Sequence, residues 1–268
     1  MLNLTKNLPI IINKLTTPQS QKLLKFTSNI HSTAGNRQND QNLKTSVVPQ
    51  KSKIINPLKH EDFFQINELV KLEDLFKARC HYGHHHGLRC PWMNEFIFGT
   101  RITTDIIDLD QTIPLMKRAL NFIAHIAFRK GVILFITRYA QHIPLIEQSA
   151  LEVGEYSHCK PWRNGTFTDS TRRFGSVIRL PDLCIFFHTH EKLNEAHGAL
   201  SETAKMLIPT VAICDSDSDP SQITYPIPAN DDSLVSQQLY TRLIKEVIIK
   251  AKKKRQELEE QGYVIQYE

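Results

Sequence analysis

The apolar positions downstream of residue 60 follow two periods. Over 61–79 (EDFFQINELVKLEDLFKAR), Leu69, Leu72, Leu75 and Phe76 fall at helical spacing with charges between them, which predicts an amphipathic helix. Residues 80–100, with Gly83, Gly87, Pro91 and Gly99, read as loop. From Ile102 onward short apolar runs alternate with helical stripes. Ile106–Leu109 predicts a strand, Thr112 a helix N-cap with Pro114 in the first turn, and Leu115, Ala119, Phe122, Ile123 and Ile126 one buried face. Gly131 predicts the left-handed residue that ends this helix. Val132–Ile136 is apolar throughout, as a strand buried on both faces must be. A helix over Pro144–Val153, strands at Cys184–Phe187, Val211–Cys214 and Ile223–Tyr225, and a helix over Glu195–Leu207 follow from the same reading. The last and longest helix repeats Val235, Leu239, Leu243, Val247 and Ala251 every fourth residue. It has Asn230 or Asp231 as cap and Lys252, Lys253, Lys254 and Arg255 at its negative end. Strands alternating with helices predict a parallel sheet with helices on both faces.

The chain has 268 residues, 41% hydrophobic and 23% charged, which is ordinary globular composition for one or two domains. No run approaches 18 apolar residues, so no membrane-spanning helix is expected. The net charge of +5 hides an asymmetry: residues 1–60 carry nine Lys and Arg against Asp40 alone, whereas residues 61–268 carry 24 basic and 27 acidic residues. A basic, hydroxyl-rich, acid-poor leader has the composition of a mitochondrial transit peptide, although its cations are lysines apart from Arg37. The other reading is a basic tail for an acidic partner. The short apolar run Leu8–Ile12, which contains Pro9, argues against a secretory signal. The chain therefore divides into a leader with a disordered basic linker, 1–60, and an α/β domain, 61–268. Five cysteines without a CxxC imply reduced thiols, and Cys184 and Cys214 lie in apolar runs as small core residues.

Candidate chemistry is sparse. The sequence contains no G-x-G-x-x-G after a strand, no P-loop and no G-x-S-x-G elbow. Asp215, Asp217 and Asp219 open like a calcium loop, but Pro220 and Pro226 stand where that loop needs Gly and Glu, so a turn with Asp side chains bonding nearby amides is expected. His188, His190 and Glu191 also follow a strand and fall near the same sheet edge, where α/β folds place ligands. A metal-dependent hydrolase or a nucleotide-binding module at this His188/Asp215 edge is the alternative function. Cys80, His81, His84, His85, His86 and Cys90 are ligand types without finger spacing and read as a polar loop. Trp162, beside Arg163, reads either as a core anchor or as a ring that stacks on RNA bases.

Seven blocks together resemble one family. HYGH at 81–84, WMNEFIFGTRITTDIIDLDQT, RKGVILFITR, PWRNGTFTD, LPDLCIFF, IPTVAICDSDSDP and YPIPANDDS are similar, in order and across roughly 80–240, to the blocks of the ribosomal protein S-two family of bacterial and organellar small subunits. The resemblance implies a three-layer, flavodoxin-like (Rossmann-like) domain that is structural, not an enzyme, and needs no cofactor, metal or small-molecule substrate. It also implies a place in the mitochondrial ribosome of the matrix rather than at a membrane. Its implied partners are small-subunit mitochondrial rRNA, with a modest footprint, and neighbouring small-subunit ribosomal proteins. Bacterial members carry a long helical hairpin before the LPDLCIFF-type strand. Here about a dozen residues, around Ser170–Leu180, occupy its place, so the hairpin is expected to be largely absent. The expected RNA or ribosome contacts are Arg101, Trp162, Arg163, Asn164, Arg172 and Arg173, with the Lys252–Arg255 run as a second basic cluster.

Overall fold

A computed structural model describes residues 53–192 and 195–265. The leader read from the sequence therefore lies, up to residue 52, outside the described residues. In chain order the elements are β1 (Lys53–Ile55), α1 (Leu72–Lys77), β2 (Tyr82–His85), β3 (Ile97–Arg101), β4 (Thr104–Ile107), α2 (Leu109–Phe128), β5 (Ile133–Ile136), α3 (Ile143–Val153) and β6 (Tyr156–His158). They continue with α4 (Ser170–Phe174), β7 (Leu183–Phe186), β8 (His190–Lys192), β9 (Glu195–Ala196), α5 (Gly198–Lys205), β10 (Thr210–Cys214), β11 (Tyr225–Pro228), α6 (Leu234–Glu260) and β12 (Tyr263–Ile265).

The central sheet has five strands in the order β11-β10-β7-β5-β6, all parallel. Counted by chain position this is two-one-three-four-five, the flavodoxin-like winding with its switch between β5 and β7. Burial follows the two-residue alternation of strands. Ile133, Phe135, Leu183, Ile185, Val211 and Ile213 join the core under α2, α3 and α6. Ile136, Cys184, Phe186, Ala212 and Cys214 join the opposite core, with Ala199 and Leu200 of α5, Trp162, Phe167 and Met93. The second face is thus covered by one helix and folded-back loops rather than by a full helical layer. All five cysteines are free, and Cys184 and Cys214 are buried in the sheet as expected. Among the described residues, no helix is long and apolar enough to cross a membrane.

Several boundaries differ from the sequence reading. The helix expected over 61–79 is only α1. Phe63, Phe64, Ile66 and Val70 reach the core from turns, while Leu72 and Phe76 are exposed. Residues 81–107 hold a three-stranded antiparallel sheet, order β2-β4-β3: β4 overlaps the strand expected at Ile106–Leu109 but ends two residues earlier, whereas β2 and β3 lie where a loop is expected. Asp108, not Thr112, caps α2: its carboxylate accepts the Asp110 amide at 3.0 Å, and Thr112 inside the helix donates its hydroxyl to Pro228 O at 2.7 Å. Pro114 accordingly sits in the second turn. At the other end of α2 the left-handed residue is Lys130 (φ 60°), and the amides of Lys130 and Gly131 return to Ala127 O and Ile126 O. Gly131 is needed for space, since a Cβ there would lie 2.6 Å from Ile126 Cγ2.

The helix expected from Glu195 starts at Gly198, because Glu195 and Ala196 pair with β8. The strand expected at Ile223–Tyr225 lies at Tyr225–Pro228. Its two prolines are accommodated because β11 is an edge. The cap of α6 is Ser233, while Asn230 Oδ1 accepts the Asp232 and Ser233 amides just upstream. β1, within the stretch read as linker, pairs in parallel with β12.

Candidate functional site

The carboxyl ends of the central strands are where this winding offers a ligand crevice, at the switch between β5 and β7. Here the crevice is filled by the chain itself. His142, at the start of α3, and His188, just past β7, are both buried and stack 5.0 Å apart. His142 Nδ1 is 2.8 Å from His188 Nε2, and the Tyr139 ring lies 4.1 Å from His188 on top. Burial holds His188 at about 3, hence neutral, although its Nδ1 is 3.3 Å from Asp231 Oδ2. Asp231 itself is driven well above the ordinary carboxyl range by burial, aided by Asp215 and Asp232 nearby.

Further along the edge, a different histidine meets the aspartates. Gly83 lets the β2 backbone lie against the turn after β10: a Cβ on it would sit 2.9 Å from Ser216 Oγ, which accepts the His84 amide at 2.8 Å. His84 is thereby aimed into the acidic turn. Its Nδ1 is 3.3 Å from Asp215 Oδ1 and 3.8 Å from Asp217 Oδ1, and its Nε2 is 3.3 Å from Asp232 Oδ2. The close contact with Asp215 outweighs burial and, with the three carboxylate charges, pushes the His84 imidazole up to about 10. The ligand atoms of His84, Asp215 and Asp217 lie within 4.8 Å of one another, but an imidazole held protonated among carboxylates pairs with them as a cation and does not coordinate a metal. As expected from the sequence, Asp215 and Asp219 also bond backbone amides, of Ser216 and Ser221. The sequence places His188, His190 and Glu191 near the aspartate cluster; His190 Nδ1 does lie 3.8 Å from Asp217 Oδ2, but the imidazole against Asp215 is His84.

His84→Ala would leave three facing carboxylates without their cation. Because His84 is partly exposed, the expected loss is about 2–3 kcal/mol, below the 3–5 of a fully buried pair. The raised value makes this contribution full below an ordinary histidine pKa and lost as pH rises through about 10. Denaturant unfolding from pH 6 to 10 should therefore show a decline in the native protein that the variant lacks.

The expected contact residues fall into two places. Arg101 closes β3 on the small sheet, exposed, beside a two-residue turn in which Ile102 and Thr103 both take positive φ (48° and 64°), an uncommon conformation for β-branched residues. Trp162, Arg163, Asn164, Arg172 and Arg173 come together in one loop-helix unit. Trp162 is only 7% exposed and donates Nε1–H to Glu202 Oε1 at 3.1 Å, so it is the core anchor and offers no face to a base. Glu202 also accepts the amides of Gly165 (2.6 Å) and Phe167 (2.8 Å), which folds the loop onto α5. Arg173 is spent on the Arg163 and Asn164 carbonyls, at 3.0 and 2.9 Å. The Lys252–Arg255 run is mostly internal too: Lys252 binds Val153 O and Glu155, Lys254 binds Phe63 O, and Arg255 binds Phe128 O and Glu259. It is not an open basic patch.

A parallel three-layer domain wound two-one-three-four-five, with two buried, stacked histidines at its switch point, defines a flavodoxin-like α/β protein. The family model described as ribosomal protein S2 matches residues 75–183 and 172–251, and the chain belongs to the ribosomal protein S2 family. Among its relatives are the small ribosomal subunit protein uS2m of Bos taurus, 47% identical over 203 residues (76% of this chain, 69% of that protein), and the small ribosomal subunit protein uS2 of Granulibacter bethesdensis, 31% identical over 216 residues (66% and 84%). The uS2 of Pseudoalteromonas atlantica is 27% identical over 240 residues, 74% of this chain and 98% of that protein. The two family matches meet at 172–183, where five-residue α4 and the segment after it stand in the place expected of the hairpin.

Proposed function

We infer that the protein is a structural constituent of the mitochondrial small ribosomal subunit and acts in mitochondrial translation through contacts with rRNA and neighbouring ribosomal proteins. The observation that carries this reading is the 47% identity to the bovine uS2m over 203 residues. The acid-poor basic leader is in keeping with import into the matrix. Because β1 pairs with β12, we assign the leader to residues upstream of Lys53, shorter than the boundary at residue 60 drawn from charge. The role is that of a scaffold without catalysis. A hydrolase or nucleotide site at the His188/Asp215 edge is disfavoured, since His188 is buried, neutral and covered by Tyr139. With 24 basic and 27 acidic residues in 61–268, the rRNA footprint is modest and neighbouring proteins supply much of the hold.

Sedimentation of the tagged protein from a mitochondrial lysate on a magnesium-containing gradient tests this. Co-migration with small-subunit rRNA, abolished by removing magnesium, is the expected result. A peak at the position of free protein with no rRNA would refute the ribosomal role.

A further inference from the structure

Residues 171–179 are exposed without interruption, and they include three apolar side chains: Phe174 (53%), Val177 (90%) and Ile178 (39%). Three exposed apolar side chains within five residues give this segment a surface that a partner could cover. The root of this segment is firmly held. Glu202 clamps 162–167, the Asp169 amide returns to Gly165 O, and Arg173 forks onto the Arg163 and Asn164 carbonyls. The exposed part is therefore a short strap on a fixed base, turned at Gly175 (φ 73°).

Charge selects the partner. Between Lys160 and Asp182 five basic residues stand against two acidic ones, while the rest of residues 61–268 holds 19 basic against 25 acidic. Arg179 is paired with Asp182 and Arg173 with carbonyls, but the guanidinium groups of Arg163 and Arg172 have no intramolecular partner among the described residues. Arginines without an internal partner, in the same loop-helix unit as an exposed aromatic ring and positive on a negative body, match phosphates and an unstacked base. An apolar protein surface would account for Val177 and Ile178 but would leave the concentration of arginine without a counterpart.

We propose that residues 170–179 are an rRNA-binding strap: Phe174 stacks on an unpaired base of the small-subunit rRNA, and Arg163 and Arg172 neutralise the phosphates beside it. This rests on the ribosomal reading above and extends it to a particular surface. Arg173 holds the strap to the loop and does not touch RNA.

The test is ultraviolet crosslinking of the full-length tagged protein in mitochondria, followed by isolation of the small subunit and mass spectrometry of peptides bearing nucleotides. The expected result is an rRNA adduct on the peptide containing Phe174. It should fall about tenfold in Phe174→Ala and be kept in Phe174→Tyr, because any aromatic face stacks. Arg172→Lys should retain the adduct and Arg172→Glu should lose it, because the contact needs charge. Phe174 is half exposed, so its replacement is not expected to alter unfolding, and a native melting curve for Phe174→Ala separates lost contact from lost fold. If the native protein co-migrates with the small subunit while the strap peptide carries no nucleotide and is instead linked by a bifunctional reagent to another protein, the strap proposal is overturned and the ribosomal reading stands. If the native protein never co-migrates with the subunit, both fall.

Discussion

Replacing Glu202 by alanine is expected to cost about 4 kcal/mol or more and to lower the Tm of the purified chain by roughly 10 °C. The side chain is buried on α5 and accepts three hydrogen bonds, from Trp162 Nε1, the Gly165 amide and the Phe167 amide. Hydrogen bonds to a charged acceptor contribute about 1.5–3 kcal/mol each, and removing the acceptor orphans two buried donors and the part-buried Gly165 amide together. Burial alone would raise this carboxyl, but the amides of Phe167 and Gly165 and the Trp162 indole outweigh it and hold it below the ordinary carboxylate range. Its contribution is therefore complete at neutral pH and disappears as the medium is acidified below that range. Glu202→Gln should fall between the native protein and alanine, since an amide keeps one acceptor but turns its NH₂ toward an N–H. A melting temperature for Glu202→Ala within 2–3 °C of native, about one kcal/mol for a domain this size, would show that the clamp is not needed to hold the loop.

Arg89→Met is expected to cost about 2–3 kcal/mol, because it strands the buried Asp105 carboxylate while Arg89 itself is partly exposed. Asp105 on β4 is fully buried and receives the Arg89 guanidinium as a two-pronged partner, with Nε to Oδ2 at 2.8 Å and Nη2 on Oδ1. Thr100 completes the knot, accepting from Arg89 at 2.7 Å and donating to Asp105 at 2.9 Å. The Arg89 bonds are the main reason that the Asp105 carboxyl is held below its usual range, against burial. Arg89→Met with Asp105→Leu should recover most of the loss, because an apolar pair leaves no charge uncompensated. If urea unfolding shows the double variant as unstable as the single one, the damage lies in packing of the small sheet and not in the stranded charge.

The central sheet was legible because its strands are buried on both faces and so cannot avoid continuous apolar runs: Val132–Ile136, Cys184–Phe187 and Val211–Cys214 all fall on observed strands, with ends shifted by one residue. In the small sheet only β4 was legible, from Ile106 and Ile107; β2 carries Tyr82, Gly83, His84 and His85, and a strand that is polar and half exposed has no apolar period to read. The stripe over 61–79 misled for the opposite reason: Phe63, Phe64 and Ile66 pack from turns, and the helical spacing of Leu72 and Phe76 buries neither. Gly131 was correctly placed at a helix end but for the wrong cause, since space and not φ demands it. In the candidate site, the aspartates were found from their spacing. Their imidazole partner was not, because His84 reaches Asp215 only through the packing of β2 on the turn after β10, a contact between residues far apart in sequence. Arginine positions could be read as charge, yet only the fold tells that Arg173 and Arg255 are occupied with carbonyls while Arg163 and Arg172 are not.

The pairing of β1 with β12 joins Lys53 to Tyr263 and Ile55 to Ile265, the two ends of the described body. A chain that enters a compartment amino end first delivers β1 at the outset and its partner last, after every strand of the central sheet has arrived. The entropy of closing so long a loop grows only slowly with its length, so the delay is one of delivery rather than of thermodynamics. A two-stranded ribbon is marginal by itself, and this one is held by Ile55, Tyr263 and Ile265 packed against the core. It also brings both termini of the body to one side, so that a label on either end reports on the same neighbourhood of the assembled particle.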